Sequence, residues 1–97
     1  MHSSISYAIG PSDKALLGTP IGKLFDNVIQ QYSERDAVVS VHQNIRLTYY
    51  QLSEKVNALA KAFLSVGFKK GDRIGIWSPN NIEWLITQSA TAKAGLI

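Results

Sequence analysis

Cysteine is absent from this 97-residue chain, and other functional markers are scarce as well. Without cysteine the chain has no disulfide scaffold and no thiolate-ligated zinc or iron–sulfur site, which suits a reducing compartment. No apolar run approaches the roughly 20 residues that a membrane-spanning helix needs. The opening residues, MHSS, lack the basic and then apolar segments of a secretory signal. These absences predict a cytoplasmic protein with no transmembrane segment.

The chain also has little excess charge of either sign. Ten Lys and Arg face seven Asp and Glu, which leaves a net charge of +3. The basic cluster Lys69, Lys70 and Arg73 has Asp72 inside it. Nucleic-acid binders usually gather a basic excess on one face. We therefore predict no nucleic-acid binding and interpret the charge as ordinary surface solubility.

Groupings of residues that could carry catalysis or bind metal are missing too. Ser40 lies two residues before His42, so the two side chains share a strand face. A nucleophile also needs an orienting group, and none follows from the pattern, so a surface histidine is the favoured interpretation. The carboxylates are scattered rather than clustered as metal ligands are. We assign no catalytic, cofactor-binding or metal-ligating residue.

Apolar periodicity predicts a first helix after residue 18. Thr19 suits the N-cap and Pro20 the first helical position, where its missing N–H costs nothing. The charged residues 34–36 end the pattern. The apolar stripe has helical spacing and consists of Ile21, Leu24, Phe25, Val28, Ile29 and Tyr32.

Two further helices have clear start and stop signals. Thr48 with Gln51 forms the S/T-x-x-E/Q capping box, and Gly67 stands where a left-handed C-terminal cap is expected. The third helix covers residues 82–94, with Glu83 in its first turn and Gly95 at its end.

Strand patterns fill the gaps between the helices. Residues 37–41 and 45–47 predict a hairpin around a Gln43-Asn44 turn, in which Asn tolerates positive φ. Residues 73–77 predict a third strand, and Leu96-Ile97 read as the start of a fourth. The expected fold is α/β, helix–β-hairpin–helix–strand–helix, truncated before the next strand. We predict a mobile lead-in over 1–18 and an incomplete domain over 19–97.

Two loops invite a ligand-binding interpretation. Residues 67–72 hold glycines four apart between a helix and a strand, whereas a P-loop needs G-x-x-x-x-G-K-[ST] between a strand and a helix. A helix cap followed by a turn is therefore favoured. Trp77 and Trp84 flank residues 78–81 and could line a pocket, but packing between a strand and a helix is the favoured interpretation.

In combination, four stretches resemble the adenylate-forming enzyme superfamily over residues 19–97. They are LTYYQL at 47–52, GFKKGDRIGI at 67–76, SPNNIEW at 78–84 and AKAG at 92–95. Gln51 stands where the family usually carries glutamate, and a capping box accepts either. IGKLFD at 21–26 and VSVHQ at 39–43 are most similar to fatty acyl-CoA synthetases.

The resemblance implies an enzyme that joins a fatty acid to ATP as an acyl-adenylate, releases pyrophosphate and passes the acyl group to coenzyme A. ATP, Mg and coenzyme A are implied for the full-length parent, while the family's phosphate loop, adenine motif and catalytic lysine would lie beyond residue 97. We therefore expect the fragment itself to be structural and inactive, and to self-associate through residues 73–97. The alternative is a stand-alone, non-catalytic α/β binding or interaction module.

Overall fold

The computed structural model describes Gly10 and residues 13–97. Within this part of the chain three helices and one hairpin follow in sequence order. They are α1 (Ile21–Tyr32), β1 (Asp36–Ser40), β2 (Ile45–Thr48), α2 (Tyr49–Ser65) and α3 (Ile82–Ala94). Most of the predicted lead-in, residues 1–9 and 11–12, falls outside the described residues, so its mobility stays a prediction.

The first helix forms where its apolar stripe predicts, but its start differs by one residue. Pro20 is the N-cap residue of α1, and no side chain caps the helix. The prediction that Thr19 supplies the cap is therefore wrong. The Pro20 carbonyl accepts the first helical bond from the Leu24 N–H at 3.0 Å, so the fixed φ of proline starts the helix without a side-chain cap.

The hairpin forms as predicted, with β1 antiparallel to β2 and Ser40 opposite Ile45. The turn depends on Asn44, whose φ of 54° lies in the left-handed region that Asn tolerates. Arg46 pairs with Asp36 across the strands. An irregularity between Asp36 and Val38 shifts the register at the open end of the hairpin.

The second helix has the predicted signals at both ends. The Thr48 hydroxyl accepts the Gln51 N–H at 3.2 Å, and the Gln51 side chain accepts the Thr48 N–H at 2.9 Å. At the other end Gly67 has a φ of 105°. The Phe68 N–H donates to the Phe63 carbonyl, and the two rings meet edge to face with centroids 5.9 Å apart. This is a Schellman motif with its apolar contact.

The predicted third strand, residues 73–77, is not formed as a strand, and this part of the fold prediction is corrected. Two bonds of a parallel ladder are present: the Ile97 N–H donates to the Asp72 carbonyl and the Ile74 N–H to the Ile97 carbonyl, both at 2.8 Å. They pair Arg73 with Ile97. A strand needs several successive partners, and beyond Ile74 no described residue pairs with this segment.

The core lies between the three helices and the inner face of the hairpin. Val56 is completely buried at its centre, and Leu96 is buried beside the end of α3. The helix α3 packs against both α2 and α1. The main buried cluster consists of Leu47, Leu52, Val56, Ala60, Ile82 and Ala90. Among the helices of the described residues, none is long and apolar enough to cross a membrane.

Candidate functional site

A chain of polar side chains joins the hairpin turn to the start of α3. The buried Ser40 hydroxyl donates to Gln43 Oε1 at 2.7 Å, and Gln43 Nε2 donates to Glu83 Oε2 at 2.9 Å. Gln43 Oε1 also accepts the Ile82 N–H at 2.9 Å. Ile82 opens α3, so Gln43 satisfies a helix-terminal donor from a distant strand turn. The cluster fixes the hairpin against α3.

The same cluster answers the question of a serine nucleophile. Ser40 Oγ lies 3.5 Å from His42 Nδ1, at the limit of a hydrogen bond, whereas its proton is donated to Gln43. Glu83 is held by Gln43 and makes no hydrogen bond to His42. A base that neither holds the hydroxyl proton nor has an orienting partner does not activate a nucleophile. Gln43 of this cluster caps α3, and His42 is exposed, which confirms the interpretation of a surface histidine.

Glu83 is the group whose titration this cluster changes. The hydrogen bond from Gln43 is the largest cause that lowers the pKa of Glu83 below its usual value of 4.5. A backbone hydrogen bond of Glu83 also lowers this pKa, burial raises it, and the electrostatic effect of His42, the least of the four causes, lowers it. Hydrogen bonds to the ionised carboxylate favour it, so Glu83 is held charged at the N-terminus of α3, where the helix dipole also favours a negative charge.

Five of the six backbone N–H groups of residues 67–72 donate within the chain. The Lys69 N–H donates to Asp72 Oδ2 at 2.7 Å, the Gly71 N–H to the Gly95 carbonyl and the Asp72 N–H to the Lys69 carbonyl. A phosphate-binding loop presents free N–H groups to its anion. Residues 67–72 therefore form a helix cap and a turn, as predicted.

Trp77 and Trp84 do not pack on each other, and the packing interpretation is wrong for Trp77. The Trp77 side chain is fully exposed, whereas Trp84 is half-buried in α3. Between them Asn81 caps α3: its Oδ1 accepts the Trp84 N–H at 2.9 Å, and its Nδ2 donates to Ser78 Oγ. No described element covers the face of the segment that carries Trp77, so its ring has no packing partner there.

Lys93, in the AKAG stretch, joins all three helices. Its ammonium donates to Asp26 Oδ1 of α1 at 2.6 Å and to Asn57 Oδ1 of α2. A Cβ on Gly22 would stand only 3.1 Å from the Lys93 Cα, so α1 and α3 approach closely at this point. Lys93 therefore links α3 to α1 and to α2.

A depression beside the hairpin turn is smaller than a usual small-molecule site. It has a volume of about 210 Å³, whereas small-molecule sites usually measure about 300–1,000 Å³. Three acidic side chains have separate partners: Asp72 a backbone donor, Asp36 the Arg46 side chain and Asp26 the Lys93 side chain. Among residues 10 and 13–97 no three potential metal ligands come together.

Sequence reasoning missed the roles of Gln43 and Lys93. Gln43 is 39 residues from the N–H that it caps, and Lys93 is 67 residues from Asp26. Periodicity and capping patterns describe neighbours along the chain, so they contain no signal for such contacts. Lys93 stood out in the sequence only because it belongs to the AKAG stretch at 92–95, one of the four stretches that resemble the family.

The comparisons with known proteins agree with one another. A family model described as "AMP-binding enzyme" matches residues 25–97. The mouse mitochondrial medium-chain acyl-CoA ligase ACSF2 is 44% identical over 93 residues, 96% of this chain. The putative acyl-CoA synthetase YngI of Bacillus subtilis is 42% identical over 82 residues, 84% of the chain. This chain spans 15% of the length of each of these relatives.

Solved structures share the architecture. A Mycobacterium tuberculosis fatty acyl CoA synthetase superposes with a TM-score of 0.76 at 27% identity, covering 80% of this chain and 16% of that one. The N-terminal subdomain of Klebsiella oxytoca NpsA superposes with a TM-score of 0.75, also at 27% identity, covering 80% of this chain and 20% of that one. The three helices and the hairpin thus match the N-terminal subdomain of adenylate-forming enzymes.

Proposed function

We propose that this chain, which belongs to the AMP-binding enzyme family, is the N-terminal structural part of an acyl-CoA ligase. The parent enzyme would activate a fatty acid with ATP to an acyl-adenylate, release pyrophosphate and transfer the acyl group to coenzyme A. The observation that carries this proposal is the 42–44% identity to acyl-CoA ligases over most of the chain. Medium-chain fatty acids are the first substrates to try, because the mouse relative is named for them.

We propose that the described residues do not form a Mg–ATP site by themselves. Five of the six N–H groups of residues 67–72 are donated within the chain, and Asp26, Asp36 and Asp72 are each held by a separate partner. Phosphoryl and adenylyl chemistry needs placed donors around the developing charge. We therefore derive no catalytic step from this chain and propose that its role is to build and support the fold.

The proposal extends to assembly and location. Beyond Ile74 the backbone has no ladder partner among the described residues, and Trp77 beside it is fully exposed. Such an edge pairs readily with another chain, so the 97-residue chain alone is proposed to self-associate through residues 73–97. A cytoplasmic location is proposed because the absence of cysteine suits a reducing compartment. The mouse relative is named as mitochondrial. Cell fractionation would distinguish a cytoplasmic from a mitochondrial location.

The test is an assay of the complete gene product beside the 97-residue chain. Pyrophosphate release that depends on both ATP and a medium-chain fatty acid, followed by acyl-CoA formation, is expected of the complete product and not of the 97-residue chain. If the reading frame stops at codon 97 and the natural protein makes no acyl-adenylate, the stand-alone interaction module replaces the ligase. Pyrophosphate release by the 97-residue chain would overturn its structural assignment.

A further inference from the structure

The positive charge of this chain is concentrated in one short segment. Residues 61–73 contain four basic side chains and one acidic one, which accounts for the whole net charge of +3. In the rest of the chain, six Lys and Arg balance six Asp and Glu. The four basic residues, Lys61, Lys69, Lys70 and Arg73, are all exposed. We call this set, with the exposed Leu64 and Val66, the basic end.

The fold separates the basic end from the acidic groups near the start of α2. The N-terminus of α2 is bonded to the loop after α1, since the Tyr50 N–H donates to the Ser33 carbonyl and the Tyr49 N–H to the Arg35 carbonyl. Glu34 and Asp36 stand there. The 17 residues of α2 put its C-terminus, beside Leu64 and Val66, about 25 Å from this point.

The cations of the basic end are available to a partner. Within the described part of the chain, none of Lys61, Lys69, Lys70 and Arg73 forms an ion pair. The carboxylate of Asp72, the one acidic group in the segment, accepts the Lys69 N–H instead of a lysine ammonium. The stem of Lys70 lies against Gly95, with Cγ 3.2 Å from the position of a Cβ there. Lys70 as a whole is exposed.

Apolar side chains are exposed among these cations. Leu64 is 52% exposed and Val66 is 71% exposed at the end of α2. Lys61 and Leu64 are three residues apart on the helix and so share a face. An apolar side chain flanked by lysines is the composition of segments that lie in a membrane interface, with the apolar groups among the acyl chains and the cations at the headgroups.

We propose that the basic end is a docking surface for an anionic phospholipid bilayer. Each Lys or Arg near such a surface contributes about 1 kcal/mol, which corresponds to roughly fivefold in the partition coefficient. Leu64 and Val66 add a contribution that salt does not screen. The charge complementarity is to lipid phosphates in general, and the proposal does not depend on the ligase activity.

Nucleic acid is the competing anionic partner, and the side chains of the basic end favour lipid. Proteins that bind single strands stack bases on exposed aromatic rings, whereas the two aromatic rings within residues 61–73, those of Phe63 and Phe68, are half-buried and pack edge to face against each other. Aliphatic side chains such as Leu64 and Val66 offer nothing to a phosphate backbone, but they partition into a bilayer.

The test is co-sedimentation of the 97-residue chain with two kinds of vesicle. One contains phosphatidylcholine alone, and the other contains equal parts of phosphatidylcholine and phosphatidylglycerol. We expect binding to the anionic vesicles, weakening as salt rises from about 0.1 M to 1 M, where the screening length falls from roughly 10 to 3 Å. Phosphatidylcholine vesicles should bind far less. These measurements use the unaltered chain, so they decide the proposal even if a variant misfolds.

A matched pair of variants separates a local surface from net charge. Arg73→Gln should weaken binding about fivefold. Arg35→Gln removes the same charge at the other end of α2, where the guanidinium lies over the Tyr32 ring at 5.0 Å, and should leave binding unchanged. Leu64→Ser should reduce the binding that remains at high salt. Circular dichroism verifies the helix content of each variant.

Three outcomes would overturn the proposal. The first is no binding to anionic vesicles. The second is an equal loss of vesicle binding in Arg73→Gln and Arg35→Gln, which would mean that net charge alone is responsible for the binding. The third is tight binding to a labelled DNA duplex, measured by fluorescence anisotropy, with no binding to vesicles.

Discussion

Thr48 is both the last residue of β2 and the N-cap of α2. Its hydroxyl accepts the Gln51 N–H, and its own N–H is accepted by the Gln51 side chain. Thr48→Ala removes the first of these bonds and leaves a helix-terminal donor without its acceptor. We expect the free energy of unfolding to fall by roughly 0.5–2 kcal/mol, measured by urea denaturation.

Thr87 offers a matched control for Thr48. Its hydroxyl donates to the Glu83 carbonyl within α3 and caps no helix. Thr87→Ala should change stability by less than about 0.5 kcal/mol, because alanine is also the better helix former. Equal losses in the two variants would contradict the role assigned to the capping box.

Glu83 predicts a pH dependence with a definite sign. Its pKa is lowered in the folded chain, first by the Gln43 hydrogen bond. The stabilisation is therefore fully present above the ordinary value of 4.5 and is lost as pH falls through the lowered folded value. The difference in urea midpoint between the unaltered chain and Glu83→Gln should shrink from about pH 6 to about pH 3.

The cause of that shift has its own control. In Gln43→Ala the carboxylate loses its principal donor, so the pKa of Glu83 should rise toward its ordinary value, as followed by NMR titration of the side-chain carboxyl. Gln88→Ala, an exposed glutamine of the same helix, should leave that titration unchanged. A pKa of Glu83 that is the same with and without Gln43 would show that another group lowers it.

At the scale of elements, α1 is the helix with the least burial, since none of its residues is fully buried. Lys93 binds Asp26 of α1 and Asn57 of α2 from α3. Lys93→Met keeps an aliphatic stem but removes the ammonium. Charge-assisted hydrogen bonds contribute about 1.5–3 kcal/mol, and less when one partner is half exposed as Asp26 is. We expect a loss of about 1–2 kcal/mol.

Hydrogen exchange shows whether the loss of stability in Lys93→Met is confined to the contacts between α3 and its neighbouring helices. In Lys93→Met the amides of α1 should exchange faster, while those at the centre of α2 keep their protection relative to global unfolding. Lys55→Met, an exposed lysine of α2 with no ion pair among the described residues, should change neither. Faster exchange spread evenly over all three helices would argue against a local tie.

At the scale of the molecule, the segment after residue 72 carries the prediction of self-association. Its backbone pairs with Ile97 alone, through two hydrogen bonds of 2.8 Å, and Trp77 and Ile97 are exposed. Unpaired backbone beside apolar side chains favours pairing between copies. Light scattering of the 97-residue chain should give a mass of at least two chains at high concentration.

A variant locates that contact. Ile76→Pro removes one donor from the edge without touching the helices and should reduce the measured mass. Lys55→Met, an exposed change in α2, serves as the control. It should leave the measured mass unchanged. A single-chain mass for the unaltered chain at every concentration would refute the association.

The sequence determined the elements whose signals are local. Apolar spacing placed α1, α2 and α3, the capping box started α2, and Gly67 and Gly95 ended two helices with positive φ. The start of α1 was predicted one residue early, because Pro20 can begin a helix without the side-chain cap expected of Thr19. The family resemblance was also carried by local motifs, and the match over residues 25–97 confirms it.

Only the tertiary structure decided the contacts between distant residues. The strand pattern over 73–77 has the right composition, but a strand exists through its partners, and Ile97 alone supplies one. Composition likewise made Trp77 a packing residue, although no described element covers it. The hydrogen bond between Gln43 and Ile82 joins residues 39 positions apart. The ion pair between Lys93 and Asp26 joins residues 67 positions apart. Periodicity and capping act over one or two turns, so contacts at such separations arise only when the helices pack.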